Sequence, residues 1–187
     1  PVGWCPSHAM PVGMHDTKDD KEPELGEFTV ILFRDKSGRA FPAATLRPET
    51  VFGVTNIWIN PSEKYVIAKV DGDTWVLALR AIHRLKHQLD IVIEESVNGS
   101  ELLGLEVLNP VTSEWVPILP AEFVDPSIAT GVVMSVPAHA PFDLVALRDL
   151  KNNKEYSKIA NMLKPRSIIR VPGYSDIPAQ DAIDKRG

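Results

Sequence analysis

Cysteine is nearly absent: Cys5 is the only one in 187 residues. No internal disulfide can form, and such a chain fits a reducing compartment, so the cytoplasm is the expected location. Uninterrupted apolar runs are short, none approaching the roughly 20 residues that span a bilayer, and the first residues lack the basic-then-apolar order of a signal peptide. No membrane contact is expected. Basic residues are also in the minority, 20 against 25 acidic ones, for a net charge of −5. This excludes a protein that coats nucleic acid by bulk attraction, since phosphate neutralisation needs clustered cations; any RNA contact must be local. A glycine-rich phosphate loop, a Ser-His-Asp or Cys-His arrangement, an internal repeat and a low-complexity tract are missing too. The composition that remains, 44% hydrophobic, is enough for one sizeable core and a single domain.

Residues 1–26 are rich in Pro, Gly, Asp and Lys with little periodicity, and read as an irregular lead-in or connector. Cys5-Pro-Ser-His8 has the spacing of half a zinc knuckle, with His15 as a third candidate. A structural zinc needs four ligands, so no metal site is expected. Two basic segments, Arg80, Arg84 and Lys86, then Lys151, Lys154, Lys158, Lys164 and Arg166, are either local RNA contacts or the solvated faces of helices.

From residue 27 onward the pattern is one of short strands. Phe28 to Phe33, a Lys36-Ser37-Gly38 turn and Ala40 to Thr45 form a hairpin; Val54 to Ile59, Tyr65 to Val70 and Thr74 to Leu77 continue the rhythm. Leu79, Ile82, Leu85 and Leu89 recur at helical spacing. His83 and His87 lie four apart on that helix, but no third ligand accompanies them and surface histidines are the simpler reading. Ile91 to Ile93, Leu105 to Leu108 and Trp115 to Leu119 are further strands, Gly131 to Val136 the longest apolar one. Helices are predicted over Phe142 to Leu150 and Glu155 to Leu163, a last strand over Ser167 to Val171, and polar sequence with no clear stop from Pro172. Many short strands predict an α/β domain with a β-barrel-like core flanked by helices.

Two segments carry chemistry. In Thr45-Leu46-Arg47-Pro48-Glu49-Thr50-Val51-Phe52-Gly53, Pro48 fixes its own φ and biases Arg47 toward an extended conformation. Thr45, Arg47 and Thr50 then project from a stiff frame, where hydroxyls and a guanidinium can bond an ester, a ribose or a phosphate. On these residues alone, a plain strand connection is as good a reading. The second segment runs Ala129-Thr130-Gly131-Val132-Val133-Met134-Ser135-Val136-Pro137-Ala138-His139-Ala140-Pro141-Phe142-Asp143. It ends with a carboxylate at a helix start, which suits an ammonium partner but is also an ordinary first-turn acid.

Together, in this order, the two segments resemble the editing (CP1) domain of leucyl-tRNA synthetase in its archaeal and eukaryotic form, and less closely those of the isoleucyl and valyl enzymes. The resemblance runs from about Trp4 to the end. It implies that residues 27–187 are an editing domain cut from a larger synthetase, one that hydrolyses the ester of non-cognate amino acids mischarged on tRNA(Leu). In that family Asp143 holds the α-ammonium, Thr45 lies beside the ester and helps place water, and Arg47 contacts the ribose or terminal phosphate. Thr50 crowds the pocket against leucine, Thr130, Met134, Ser135 and Val136 line it, and His139 stands at its mouth. The departures are Leu46 for a second threonine, Ala129 for the first glycine of Gly-Thr-Gly, and Ala140 for an additional Asp. Mechanisms needing a second threonine or carboxylate are thereby in doubt.

The resemblance also implies the partners: the 3′ end of tRNA(Leu) and the remainder of the synthetase, in a monomer. No cofactor is expected in this domain, ATP and magnesium belonging to the parent enzyme. Neither His-x-Gly-His nor Lys-Met-Ser-Lys-Ser occurs, so the chain has no aminoacylation core. Two alternatives stay open on the sequence: a non-catalytic RNA- or nucleotide-binding barrel, and an editing domain of an isoleucyl or valyl enzyme.

Overall fold

Apolar stretches become strands here wherever a turn residue can reverse the chain. In the computed structural model, residues 3–5, 7–18, 26–170 and 172–186 are described. The lead-in is more regular than its composition suggests, with a small hairpin of β1 (Gly3–Cys5) and β2 (Met10–Val12) and a 3-10 turn at Met14–Asp16. Pro1, Val2, Pro6 and residues 19–25 of that lead-in lie outside the described residues, as do Val171 and Gly187.

The expected hairpin is β3 (Thr29–Asp35) with β4 (Ala40–Thr45), paired antiparallel from Thr29↔Thr45 to Arg34↔Ala40. Asp35 shapes the turn: its carboxylate accepts the Ser37 and Arg39 backbone N–H groups and Arg39 Nε, while Gly38 takes φ +84°. Next come β5 (Asn56–Ile59), β6 (Lys64–Val70) and β7 (Asp73–Ala78). Asp71 and Gly72 join the last two at φ +48° and +86°, the left-handed pair whose twist matches the strands of a tight hairpin. With β8 (Ile91–Asn98), β9 (Glu106–Leu108), β10 (Trp115–Pro120) and β11 (Val133–Ser135), they form one sheet in the order β11-β5-β10-β9-β3-β4-β7-β6-β8.

The barrel-like core is present, but the sheet is not closed: β8 and β11 are its two edges. It curls far enough to wrap one buried cluster, to which Phe33, Phe41, Ile57, Tyr65, Val76, Val107, Ile118 and Met134 come from successive strands. A bulge between Ile67 and Ala68 in the β6–β8 pair adds local bend. Strand β5 is buried on both faces. Ile57 and Ile59 face the inner cluster, while Trp58 faces a second one with Leu119, Leu147, Leu150 and Ala160. That second cluster lies under α2 (Pro141–Asn152) and α3 (Ser157–Met162), with Tyr156, Ile159 and Leu163 packed against it.

Several elements differ from expectation, each for a local reason. The predicted helix over Leu79 to Leu89 shortens to a 3-10 turn at Leu79–Ala81 and one turn of α1 (Ile82–Leu85), with no side-chain cap. Ile82, Leu85 and Leu89 still pack on Val66, Val70 and Leu77. Gly131 to Val136 is not the longest strand but yields only the three residues of β11. Gly131 turns at φ +71°, and Val136 N–H leaves the ladder to donate to Asp143. No strand forms over Ser167 to Arg170, where Ile168 N–H donates to the His139 ring instead. The polar tail contains α4 (Pro178–Arg186), which begins on a proline, the residue best suited to a first helical turn.

Three buried side chains set the loops that matter. Thr130 Oγ1 donates to Pro42 O at 2.6 Å and Thr130 O accepts Ala78 N–H, so the loop before β11 is tied to β4 and β7. Tyr65 Oη donates to Gly131 O at 2.9 Å, and burial pushes that phenol up to about 12. Asn109 Nδ2 donates to Val51 O, holding the turn after β4 from the inside.

Candidate active site

The end of β4 and the turn after it make one wall. Pro48 begins a 3-10 helix (Pro48–Gly53), and Arg47 before it sits at φ −131° and ψ 73°, outside the helical region that a following proline disfavours but short of the fully extended conformation expected from the sequence. The hydroxyls of the turn are partly spent on the backbone. Thr45 Oγ1 accepts Arg47 N–H at 3.0 Å, and Thr50 Oγ1 donates to Arg47 O at 2.7 Å. Thr45 therefore keeps its O–H to donate, and Thr50 is left with its methyl as the free substituent. The Arg47 guanidinium is exposed and has no partner among the described residues.

The other wall is the loop from β11 to α2. His139 N–H and Ala140 N–H both donate to Val136 O, a tight turn that delivers the chain to Pro141 at the start of α2. Asp143, two residues on, folds back into it. Its Oδ2 accepts Val136 N–H at 2.7 Å and its Oδ1 accepts Trp58 Nε1–H at 3.1 Å. Asp143 is only 6% exposed. Burial raises its pKa to about 6, against the pull of those two donors. His139 Nε2 accepts Ile168 N–H at 3.0 Å, which puts the ring proton on Nδ1, and burial depresses its pKa.

The two walls meet. Thr45, Leu46, Arg47 and Thr50 line one cleft of about 420 Å³ with Met134, Val136, His139, Ala140 and Asp143. Residues 45 and 143 are remote in sequence; the β4 and β11 positions in the curled sheet bring them together. Phe28, Ala44 and Val133 complete the lining and were not legible as site residues, for nothing in an apolar side chain beside or within a strand announces a cleft. Trp58 was missed for the same reason: its indole N–H finds Asp143 only through the fold.

Two sequence-predicted residues stand apart. Thr130 is outside the lining, its hydroxyl committed to Pro42 O. Ser135 is also outside it, fully buried, its hydroxyl without a partner among the described residues. A larger hollow of about 570 Å³ lies between Thr55, Trp115 and Arg166, but its Arg166 and Glu114 satisfy each other in a two-pronged ion pair. Cys5 and His8 bond to one another at 3.2 Å and the His83 and His87 rings stack edge to face. Among the described residues no group of three or more His, Cys, Asp or Glu side chains is placed to hold a metal. No described helix is long and apolar enough to cross a membrane.

A family model described as the leucyl-tRNA synthetase editing domain matches residues 28–166, a span that includes both walls. The chain belongs to that family. This editing domain is 56% identical over its full length to a leucine-tRNA ligase of Pyrobaculum islandicum, and 51% identical over 99% of it to leucine-tRNA ligase 2 of Saccharolobus solfataricus. It spans 19% of the length of either relative. Among solved structures, the editing domain of the P. knowlesi cytosolic leucyl-tRNA synthetase superposes with a TM-score of 0.74, over 86% of this chain and 76% of that one. At 20% identity that likeness concerns the fold. The crystal structure of GlLeuRS-CP1 gives a TM-score of 0.70 at 28% identity, over 79% of this chain and 63% of that one.

Proposed function

We propose that this editing domain hydrolyses the ester linking a non-cognate amino acid to the 3′ end of tRNA(Leu). The observation that carries the reading is the charge layout of a single cleft, a buried carboxylate at Asp143 and, at the rim, the Arg47 guanidinium, which has no partner among the described residues. An aminoacyl nucleotide presents the complement, an ammonium at one end and a phosphate at the other. The cleft volume falls within the range of small-ligand sites. Asp143 binds the ammonium, Arg47 the ribose or terminal phosphate, and Met134 and Val136 contact the amino-acid side chain. His139 borders the mouth.

An aminoacyl ester is already activated, so placement of water and stabilisation of the developing oxyanion suffice. Water attacks the ester carbonyl, the carbon–oxygen bond to the ribose breaks, and the free amino acid and the ribose hydroxyl leave. The Thr45 O–H, its oxygen already accepting Arg47 N–H, donates to the attacking water or the oxyanion. Asp143 is engaged by the ammonium and is not the general base. No cofactor takes part in this domain; ATP and magnesium serve the aminoacylation core of the parent enzyme, outside this chain. The natural partners are tRNA(Leu) and the rest of a monomeric synthetase, in the cytoplasm, where a lone cysteine is at home.

A second hydrolytic sieve is needed because a missing or misplaced methylene in an apolar pocket is worth only about 1–3 kcal/mol. Deacylation of tRNA(Leu) carrying isoleucine, valine or leucine tests the reading. Isoleucyl and valyl esters are cleaved and leucyl ester is spared; Asp143→Ala slows cleavage roughly 10²- to 10³-fold, the cost of an unpaired buried charge. Equal rates for all three esters, or an unaffected Asp143→Ala, contradict it. Thr50→Ala opens the cleft to leucyl ester, whereas Thr50→Val, which keeps the bulk, continues to exclude it; hydrolysis of leucyl-tRNA by both or by neither removes the steric role.

A further inference from the structure

Trp58 has no exposed surface and lies in the second buried cluster, among Leu119, Leu147 and Ala160, with the Phe123 ring edge-on at 6.1 Å. Packing accounts for its size but not for its polar edge. An indole N–H is a donor only, with a single bond to make, and Trp58 makes it to Asp143 Oδ1 at 3.1 Å. The second carboxylate oxygen is held from a different element, by Val136 N–H at 2.7 Å. Two donors from β5 and from the end of β11 thus grip both oxygens and fix the plane of the carboxylate. The lone pairs that remain are directed by that grip.

We propose that Trp58 is a positioning residue of the cleft: its indole N–H keeps Asp143 a carboxylate, in the orientation in which the acid receives the ammonium of an aminoacyl ester. The identity of that ammonium rests on the reading of the cleft given above. The hold on the carboxylate does not.

Burial opposes charge on Asp143, and hydrogen bonds from Val136 and Trp58 are the opposing influences. Among the described residues no nearby cation substitutes for them. Arg47 and His139 are the other titratable groups lining the cleft; Arg47 is exposed on the opposite wall and His139, kept neutral by burial, is tied to Ile168. Toward α3, Tyr156 is pushed further from ionising by burial and Glu155. Along α2 itself Arg148 and Asp149 are exposed and Lys151 is half-buried at the far end. On α4, which packs against α2, Asp181 is bonded to Ser175, Asp184 to Gln180, and Lys185 lies over the Tyr174 ring. Removing the indole donor therefore leaves the Val136 amide as the one remaining hydrogen bond to the carboxylate among the described residues.

The test compares Trp58→Phe, which deletes the donor and keeps an aromatic ring in the cluster, with Phe123→Ala, which deletes the ring contact and keeps the donor. Carbon-13 NMR of the Asp143 carboxyl follows its titration, and binding of a non-hydrolysable norvalyl-amino-adenosine is measured from pH 5 to 8. In Trp58→Phe the Asp143 midpoint moves up by about one to two pH units. Affinity near pH 6.5 falls roughly tenfold, and the difference narrows as the pH rises. Phe123→Ala leaves the midpoint in place. Should Trp58→Phe fail to fold, benzothienylalanine inserted at position 58, isosteric with tryptophan but lacking the N–H, gives the same comparison.

An unmoved midpoint in Trp58→Phe, whatever its melting temperature, shows that Trp58 only packs and overturns the proposal. So does an equal shift in both variants. A midpoint that moves as expected in a protein whose wild type ignores the analogue upholds the grip on the carboxylate and overturns the ammonium assignment, along with the reading of the cleft.

Discussion

Asp143 shows at the scale of one residue how the cleft trades stability for charge. Its pKa in the folded chain, about 6, lies above the ordinary carboxylate value of 3.8. The native state therefore binds the extra proton between those values, so this group's contribution to stability is complete below pH 4 and is lost as the pH rises through 6. Relative to Asp143→Ala, the wild type should lose up to about 3 kcal/mol of unfolding free energy between pH 4 and pH 7. Urea midpoints at the two pH values check this, and a difference of the opposite sign contradicts it. Gly131 makes a second point. It turns at φ +71°, and a Cβ there would stand 2.2 Å from the Ala78 Cβ. Gly131→Ala should cost more than about 2 kcal/mol, through left-handed strain and a steric collision together. Two positions earlier, Ala129 occupies the left-handed region at φ +50° with a side chain that disfavours it. Ala129→Gly should raise the melting temperature by about 1–2 °C, the small surplus of relieved strain over the added freedom of the unfolded chain; a lowered melting temperature contradicts that balance.

Among the elements, the strap from Lys164 to Arg170 has no regular structure, yet it is held at defined points. Arg166 grips Glu114 with both terminal nitrogens, and Ile168 N–H donates to His139 Nε2. Gly53 gives it room: a Cβ at that position would come within 3.1 Å of Arg166 O and Val136 Cγ1. Only neutral His139 can accept the Ile168 N–H. Its folded pKa is depressed below the ordinary 6.5, so the bond holds at neutral pH and is lost as the pH falls through that lowered value. His139→Phe should expose the strap to proteolysis at pH 7, as low pH should in the wild type, read by the rate of cutting within residues 164–170; an unchanged rate contradicts the latch. Elements such as this mark the limit of what the sequence shows. The β3–β4 hairpin was legible because Lys36-Ser37-Gly38 is a strong turn signal between β-prone runs, and β6 and β7 were legible as strands from their apolar runs. Asp143 at the start of α2 was legible from Pro141. The strap was not, because Ser167-Ile168-Ile169 has the composition of a strand and its backbone is claimed by a histidine remote in sequence. Nor was α4, whose Pro-, Gly- and Asp-rich approach reads as loop. In the cleft, the polar half, Thr45, Arg47, Thr50 and Asp143, was legible through the resemblance to a known family rather than from those residues alone, while Phe28, Val133 and Trp58 gained their places only when the sheet curled.

For the whole molecule, the open sheet explains why one small domain can hold such a site. In a closed barrel β11 would be hydrogen-bonded to a strand on either side, with no edge left over. Here the β11 edge is free to carry its loop out to α2, and the cleft forms where that edge lies beside β4. A net charge of −5 leaves no bulk attraction to a phosphate backbone, so on the proposed reading the pull on RNA comes from a few cations, Arg47 among them. Binding of a single-stranded 3′ end should accordingly show a shallow salt dependence, and Arg47→Ala should reduce its slope by about 0.7. The central claim is that two distant segments form opposite walls of one cavity that takes an amino acid joined to a nucleoside. Amide NMR of the domain titrated with non-hydrolysable norvalyl-amino-adenosine tests it most directly. Saturable shifts with one common dissociation constant are predicted in both walls, at Thr45, Arg47 and Thr50 and at Val136, His139 and Ala140. Shifts confined to one wall, or gathered in the hollow beside Arg166 with both walls silent, would contradict it.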